Sequence, residues 1–428
     1  MPARFSLTQA VLRRSMPLPF AAALGLMPMA AAPVSSWSGD GGLAPFYTFA
    51  GTIPAKPGVM LRNETLPASL SLPDAGMAVR ILYSSTGWPK AGAITVSGAL
   101  FMPKGKPPKG GWPLIAWAHG TTGYAGVCAP SAMPRSDRDS QYLNAWLKDG
   151  YAIVATDYQG LGTPGPHPYL QYRPEAMSVL DSIRAVQARY PQLSRDVVTM
   201  GQSQGSAAAL GAALIAPEYA PELKIKGTVA TGLVAETKAV GKAPQIKDKE
   251  IYAAPEAYGN SAFEALFFLG TVRSIDPVRI EPQTYISAKG WPLLEKAGRV
   301  CFRDLVKEAQ ARKISMATFY KRPIDDLEAL ADKTGSFPSV HIATPVFTGT
   351  GLADDMAKTS KQYNFISAMC AAGTVVQWHY YPHATHGGAV MRSRADAPAF
   401  VAAVMHGKPV ANLCSKLVQP GPIQTADE

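Results

Sequence analysis

The stretch that decides the fold is Val198-Thr199-Met200-Gly201-Gln202-Ser203-Gln204-Gly205-Ser206-Ala207-Ala208-Ala209-Leu210. Residues 196–200 form a short apolar run with β-branched members, as a buried strand requires. Residues 206–215 are rich in Ala and Leu and read as a helix. Between them lies Gly-x-Ser-x-Gly, so the chain must turn sharply from strand to helix at Ser203. Such a turn lifts the serine hydroxyl above the edge of a sheet, the arrangement of a nucleophile elbow. Gly201 and Gly205 suit it because a side chain at either place would strike the adjoining strand or helix. Ser203 also precedes the first turn of a helix, where partial positive charge favours a developing anion. A Gly-rich turn with a capping serine is the plainer alternative for the same five residues.

The neighbouring segments continue the pattern. Upstream, strands are expected at 77–85 and 93–102; Ile94, Val96, Gly98 and Leu100 fall on one side of the second, which reads as half-buried. Apolar runs at 113–118 and 151–156 suit buried parallel strands, with a helix at 140–148 between them. A 3.6-residue apolar period predicts a helix over 175–190, and another strand is expected at 226–231. Alternation of this kind predicts a parallel α/β sheet with helices on both faces. The pattern stops near Val234. Up to Val340 the segments are mainly helical, including 261–269 and 300–311. Strand and helix then return at 344–348, 358–372, 375–380 and 397–406. The division is 1–36 as a leader, 37–233 and 341–428 as two parts of one α/β core, and 234–340 as a helical insertion.

Composition limits the function classes. Of 428 residues, 47% are hydrophobic and 17% charged, a globular balance. Lys and Arg number 41 against 31 Asp and Glu, giving +10. Arg4, Arg13 and Arg14 contribute to that excess before the first acid, Asp40, and the remaining basic residues are scattered. Nucleic acid is therefore not an expected partner. Residues 1–36 read as a signal peptide: a basic start ending at Arg13-Arg14, an apolar stretch from Met16 to Ala32, then small residues. Cleavage fits Ala30–Ala32 or Val34–Ser36. Pro17, Pro19, Pro28 and Pro33 interrupt the run, which argues against a membrane span. The protein is thus expected to be secreted or periplasmic. Its four cysteines, Cys128, Cys301, Cys370 and Cys414, then suggest two disulfides, with three possible pairings.

A serine nucleophile needs a base and the base needs an orienting carboxylate. His386, followed by Gly387 and Gly388 in a loop after the last strand, is the candidate base, with His383 as its rival. His379 falls within the strand and reads as structural. Asp354 and Asp355, in the loop after strand 344–348, are both candidates for the acid. The other aspartate would serve as a helix N-terminal acid. Oxyanion stabilisation calls for the backbone N–H of Gln204 and one from the loop His119-Gly120-Thr121-Thr122-Gly123. Thr121 is the choice, with Thr122 next to it. No metal site is expected: HExxH is absent, and His379, His383 and His386 divide between strand and loop. No phosphate-binding or dinucleotide motif occurs, so no cofactor is expected. Phe263, Leu266, Phe267, Phe268 and Leu269 form an apolar stripe that suits either a substrate pocket or the core of the insertion.

Taken together, these residues resemble the secretory lipase family, the lipase A type of α/β-hydrolase. The resemblance runs from Leu114 to Cys414. It rests on Trp117–Gly123, Cys128-Ala129-Pro130-Ser131, Asp157–Gly165, His167-Pro168-Tyr169-Leu170, Gly201–Gly205 and His386-Gly387-Gly388. It implies an α/β-hydrolase fold with a mainly helical cap inserted between the nucleophile and acid segments. It implies a Ser203–His386–Asp354 triad, because the family's acid lies in a Gly-x-x-Asp loop ahead of a helix-terminal cysteine. It also implies the disulfides Cys128–Cys301 and Cys370–Cys414. The expected function is hydrolysis of a small-molecule or lipid ester by a lipase or carboxylesterase, with a lipid interface as a transient contact. Amides, peptides, aromatic esters or polyesters on the same fold are the alternative, and a non-catalytic binding protein is a third reading. One departure stands out. The family's acid loop continues with a hydrophobic residue and paired prolines, whereas this chain reads Asp355-Met356-Ala357-Lys358.

Overall fold

Nine strands form one mixed sheet in the computed structural model, which describes residues 43–246 and 258–427. The signal-peptide reading of residues 1–36 lies outside the described residues. The strands are β1 (Met60–Thr65), β2 (Ala75–Thr86), β3 (Ala93–Pro103), β4 (Trp112–Ala118), β5 (Ala152–Thr156), β6 (Leu193–Gln202), β7 (Lys224–Thr231), β8 (Val346–Gly351) and β9 (Val376–Tyr381). Their order is β1-β2-β3-β5-β4-β6-β7-β8-β9. From β5 to β9 neighbours are parallel, whereas β1, β2 and β3 run as an antiparallel meander. The expected parallel sheet therefore describes only its C-terminal two-thirds. Short loops between β1, β2 and β3 allow only antiparallel neighbours, since a parallel return needs a crossover of a dozen or more residues.

The flanking helices are α1 (Asp137–Lys148), α2 (Tyr172–Arg189) and α3 (Gln204–Tyr219). Side chains of each strand alternate between two buried layers. Leu114, Ala116 and Val154 pack with Leu180, Ile183 and Leu210 from α2 and α3. Ile115, Trp117, Ile153 and Met200 pack with Leu143 and Trp146 from α1. The half-buried reading of β3 is corrected here: from Thr95 to Pro103 every residue is buried. Val96 and Leu100 enter the first layer and Ala99 and Phe101 the second, because β3 sits between β2 and β5 with both faces covered.

The helices α4 (Ser261–Leu266), α5 (Pro282–Tyr285), α6 (Trp291–Ala297), α7 (Phe302–Ala311), α8 (Met316–Phe319) and α9 (Asp325–Gly335) lie in sequence between β7 and β8. A π-helical turn over Phe267–Val272 extends α4. This cap has its own apolar core, including Leu266, Phe268, Leu269, Leu293, Leu305 and Phe319, joined by Tyr124 and Tyr169 from the sheet domain's loops. The fold is completed by α10 (Thr359–Ala371), α11 (His386–Arg392) and α12 (Ala397–Met405). Disulfide Cys128–Cys301 ties the loop after β4 to the start of α7, and Cys370–Cys414 ties α10 to the C-terminal tail. Among the described residues no helix is long and apolar enough to cross a membrane.

Candidate active site

Backbone crowding fixes the position of Ser203. A Cβ on Gly201 would stand 1.9 Å from the carbonyl oxygen of Gly205, and one on Gly205 would stand 1.9 Å from that of Ala118. Only hydrogen fits at either place, so β4, β6 and α3 approach more closely than side chains allow. Ser203 takes φ 56° and ψ −125°, a conformation that non-glycine residues rarely adopt. Its N–H donates to the carbonyl of Thr231 at 3.0 Å, tying the turn to the end of β7.

Two loops at the ends of β8 and β9 bring the next two residues together. The N–H of Ala353 donates to the carbonyl of Ala384 at 2.9 Å, and that of Leu352 to Tyr381 at 3.0 Å. This zips the loop of Asp354 to that of His386. Asp354 is fully buried. Its Oδ1 accepts from the N–H of Met356 at 3.0 Å and of Ala357 at 2.8 Å. Its Oδ2 accepts from Gln362 Nε2 at 3.0 Å and from His386 Nδ1 at 2.8 Å. Three N–H donors besides the imidazole converge on Asp354, so its carboxylate serves as an acceptor. His386 therefore carries its proton on Nδ1 and leaves Nε2 free. The imidazole lies against Gly232, just past the end of β7, where an added Cβ would meet the ring at 2.8 Å.

Two local expectations are corrected. His386 is not in a loop but is the first residue of α11. Thr385 caps that helix by accepting from the N–H of Gly388 at 3.0 Å, which outweighs the weak helix propensity of two glycines. Asp355 is exposed on the cavity wall and is not a helix N-terminal acid, since α10 begins only at Thr359.

Ser203, Gln204 and His386 line a single cavity of about 710 Å³ between the sheet domain and the cap. Phe263 and Phe267, one turn apart on the cap, face it, whereas Leu266, Phe268 and Leu269 are buried inside the cap. The apolar stripe thus divides between pocket and core. Thr121 is half-buried in the loop after β4. It does not itself line the cavity; its hydroxyl lies 2.9 Å from that of Tyr169, which does. The three clustered histidines go to different partners. His379 Nδ1 is 3.7 Å from Asp396, and exposed His383 bonds through Nδ1 to the carbonyl of Thr425 at 2.9 Å. Sequence reading missed Gln362, whose amide also accepts from the N–H of Leu233 and the hydroxyl of Thr350. A glutamine within a helix of mixed polarity carries no sequence signal of that role.

The wall also holds Glu264, which is partly accessible through the cavity. Burial pushes its carboxyl up to about 7, opposed by a hydrogen bond from Tyr320 and helped by the nearby charge of Glu328. Beneath the site Asp157 is fully buried, and burial raises its carboxyl above the usual range. It accepts from the Ser97 hydroxyl at 2.7 Å and the N–H of Ser131 at 2.9 Å, pinning the loop that carries Cys128.

The family model for secretory lipases matches residues 135–412, well over half of the chain. The chain belongs to the secretory lipase family. Among curated relatives, Lipase 7 of Candida albicans is 34% identical over 92 residues, covering 21% of each chain. Lipase A of Moesziomyces aphidis is 26% identical over 198 residues, covering 43% of this chain and 41% of that one. The matches therefore span less than half the length of these relatives. Among solved structures, the closed state of Candida antarctica lipase A superposes with a TM-score of 0.68 at 20% identity, covering 90% of this chain and 89% of the other. The rice cell wall degrading esterase LipA from Xanthomonas oryzae gives 0.60 at 15% identity, covering 81% and 97%. At these identities the likeness is one of fold: this secretory lipase-family chain has the α/β-hydrolase fold.

Proposed function

We propose that this protein is an exported serine hydrolase of carboxylic esters, a lipase or carboxylesterase, with residues 234–340 as its substrate-covering cap. The observation that carries this reading is the strained Ser203 sharing one cavity with His386, whose Nδ1 bonds to the buried Asp354 at 2.8 Å. Family membership and the names of the relatives support it. The residues 1–36 with their signal-peptide pattern support export.

In this mechanism Ser203 Oγ attacks the ester carbonyl while His386 Nε2 takes its proton. Asp354 holds the ring in the tautomer that makes this possible and stabilises the imidazolium. The oxyanion of the tetrahedral intermediate is held by the N–H groups of Gln204 and Thr121. His386 then gives the proton to the leaving alcohol, and the acyl group remains on Ser203. Water, deprotonated by His386, releases the acid by the same steps in reverse. Phe263 and Phe267 offer the acyl chain an apolar wall. Asp355 in place of the family's hydrophobic continuation makes the wall at the acid loop more polar.

The test is hydrolysis of p-nitrophenyl esters from C2 to C16 by wild type and Ser203→Ala. The reading predicts a fall in kcat of up to ~10⁶-fold. Near-full activity in the variant would remove Ser203 as nucleophile. A maximum at long chains marks a lipase; a maximum at C2–C4 marks a carboxylesterase.

A further inference from the structure

The segment His167-Pro168-Tyr169-Leu170 marks the family resemblance, yet the mechanism above gives it and the adjoining Gln171 no role. It touches both residues assigned to the oxyanion. Gln204 Nε2 donates one hydrogen to His167 Nε2 at 2.9 Å and the other to Glu175 Oε1 at 2.7 Å. The same Glu175 oxygen accepts the N–H of Leu170 at 3.0 Å. Two residues before Gln171, the hydroxyl of Tyr169 meets that of Thr121 at 2.9 Å. Glu175 and His167 are fully buried, and Oε2 of Glu175 has no hydrogen-bond partner among the described residues.

From this geometry we infer that residues 167–171, anchored on Glu175, act as a strut that positions the N–H groups of Gln204 and Thr121 for the oxyanion. His167, Tyr169 and Glu175 are positioning residues in this view, since they act through Gln204 and Thr121. The inference rests on the oxyanion assignment made above.

The hydrogen-bond roles are self-consistent. His167 Nδ1 donates to the carbonyl of Gln159 at 3.0 Å, so a neutral ring offers Nε2 as an acceptor to the Gln204 amide. Burial keeps the ring neutral by lowering its pKa to about 3. Burial also raises the Glu175 carboxyl well above its ordinary range, despite the hydrogen bonds from Gln204 and Leu170. No ion pair then competes for either group. Gln204 is the residue after the nucleophile, so clamping its side chain limits rotation of its backbone N–H. Leu170 adopts φ 57°, which a leucine tolerates only where its surroundings hold it. The strut is also fastened to the cap: Thr271 Oγ1 donates to the carbonyl of Tyr169 at 2.8 Å. Gly270 packs so closely that an added Cβ would stand 2.5 Å from Tyr169 Cβ.

The test compares Gln204→Leu, Glu175→Leu, Glu175→Gln and Tyr169→Phe in the full protein. Active sites are counted by organophosphate titration, so that misfolded enzyme is not scored as slow enzyme. Gln204→Leu keeps the backbone N–H and loses the clamp. The strut predicts that kcat falls about 10- to 10²-fold in Gln204→Leu and in Glu175→Leu, with KM within about twofold, because misplaced groups cost rate rather than binding. Glu175→Gln restores most of kcat, since its amide oxygen still accepts both hydrogen bonds. The double Glu175→Leu/Gln204→Leu variant falls no further than either single change. Tyr169→Phe, which removes one hydroxyl, lowers kcat several-fold and weakens a boronic acid inhibitor in proportion, whether or not Glu175→Leu folds. Unchanged kcat in Gln204→Leu and Tyr169→Phe would overturn the strut. So would a loss that appears in KM alone, or additive losses in the double variant. Ser203→Ala separates the two failures: if it is inactive while the strut variants are fully active, only the strut is wrong.

Discussion

The two walls of the cavity are built by different physics. On the sheet side, Ser203, Gln204 and His386 stand at strand ends, where glycines and backbone hydrogen bonds leave little freedom. On the cap side, Phe263, Glu264 and Phe267 project from a short helix and its π-helical extension, held by an apolar core of aliphatic and aromatic side chains. Backbone-determined geometry gives chemistry that tolerates almost no substitution. Side-chain packing on short helices gives a wall that can change its preference while keeping its fold. Substitutions on the sheet side should therefore change rate for every ester, and those on the cap side should change the choice among esters.

The largest expected effect is on the sheet side. Asp354→Asn should lower kcat by about 10⁴-fold for short and long esters alike, because an amide no longer holds His386 in the required tautomer. Asp355→Asn should change kcat by only a few-fold. Steady-state kinetics on the C2 to C16 series checks both, and equal losses at the two positions would break the distinction between them. Next comes the seam between the walls. Removing Cys128–Cys301, which closes 173 residues of sequence, should cost up to about 5 kcal/mol of stability, read from denaturant unfolding.

Smaller changes belong to the cap. Phe263→Ala or Phe267→Ala should lower kcat/KM for long-chain esters by roughly 10- to 200-fold, the range for lost apolar contacts in a pocket, while C2 esters are nearly unaffected. A uniform loss across chain lengths would place these rings in the chemistry instead. The smallest effect is the titration of Glu264. Its carboxyl is raised to about 7 from the usual 4.5, so the folded protein keeps a proton that the unfolded chain releases. That contribution is fully present below about pH 4.5 and is lost as pH rises through about 7. Glu264→Gln should flatten this part of the stability profile, with a gain on the order of 1 kcal/mol above pH 7, since water in the cavity screens the charge.

The same contrast explains what could be read from sequence. Gly201, Ser203 and Gly205 announce themselves because the turn allows almost nothing else. The Ala/Leu pattern of α3 and the apolar runs of β4 and β5 reflect burial on both faces. His386 was legible as a residue, but its position opening α11 was not, because a threonine cap overrides what two glycines suggest. Residue reading narrows the acid to Asp354 or Asp355, and the resemblance favours Asp354. The structure gives the physical difference: one is buried under four hydrogen-bond donors and the other is exposed. Gln362, His167 and Glu175 were not legible as parts of the site. Their roles depend on partners 8 to 37 residues distant in sequence, which no local period records. In the cap, the five-residue apolar stripe was visible, but its division between pocket and core follows from which helix face meets the cavity.

The most direct test of the account is covalent labelling with a fluorophosphonate, followed by peptide mapping. One equivalent should attach to Ser203, with activity lost in step with labelling, and Asp354→Asn should label far more slowly. Label on another residue, or activity that survives complete modification of Ser203, would contradict the account.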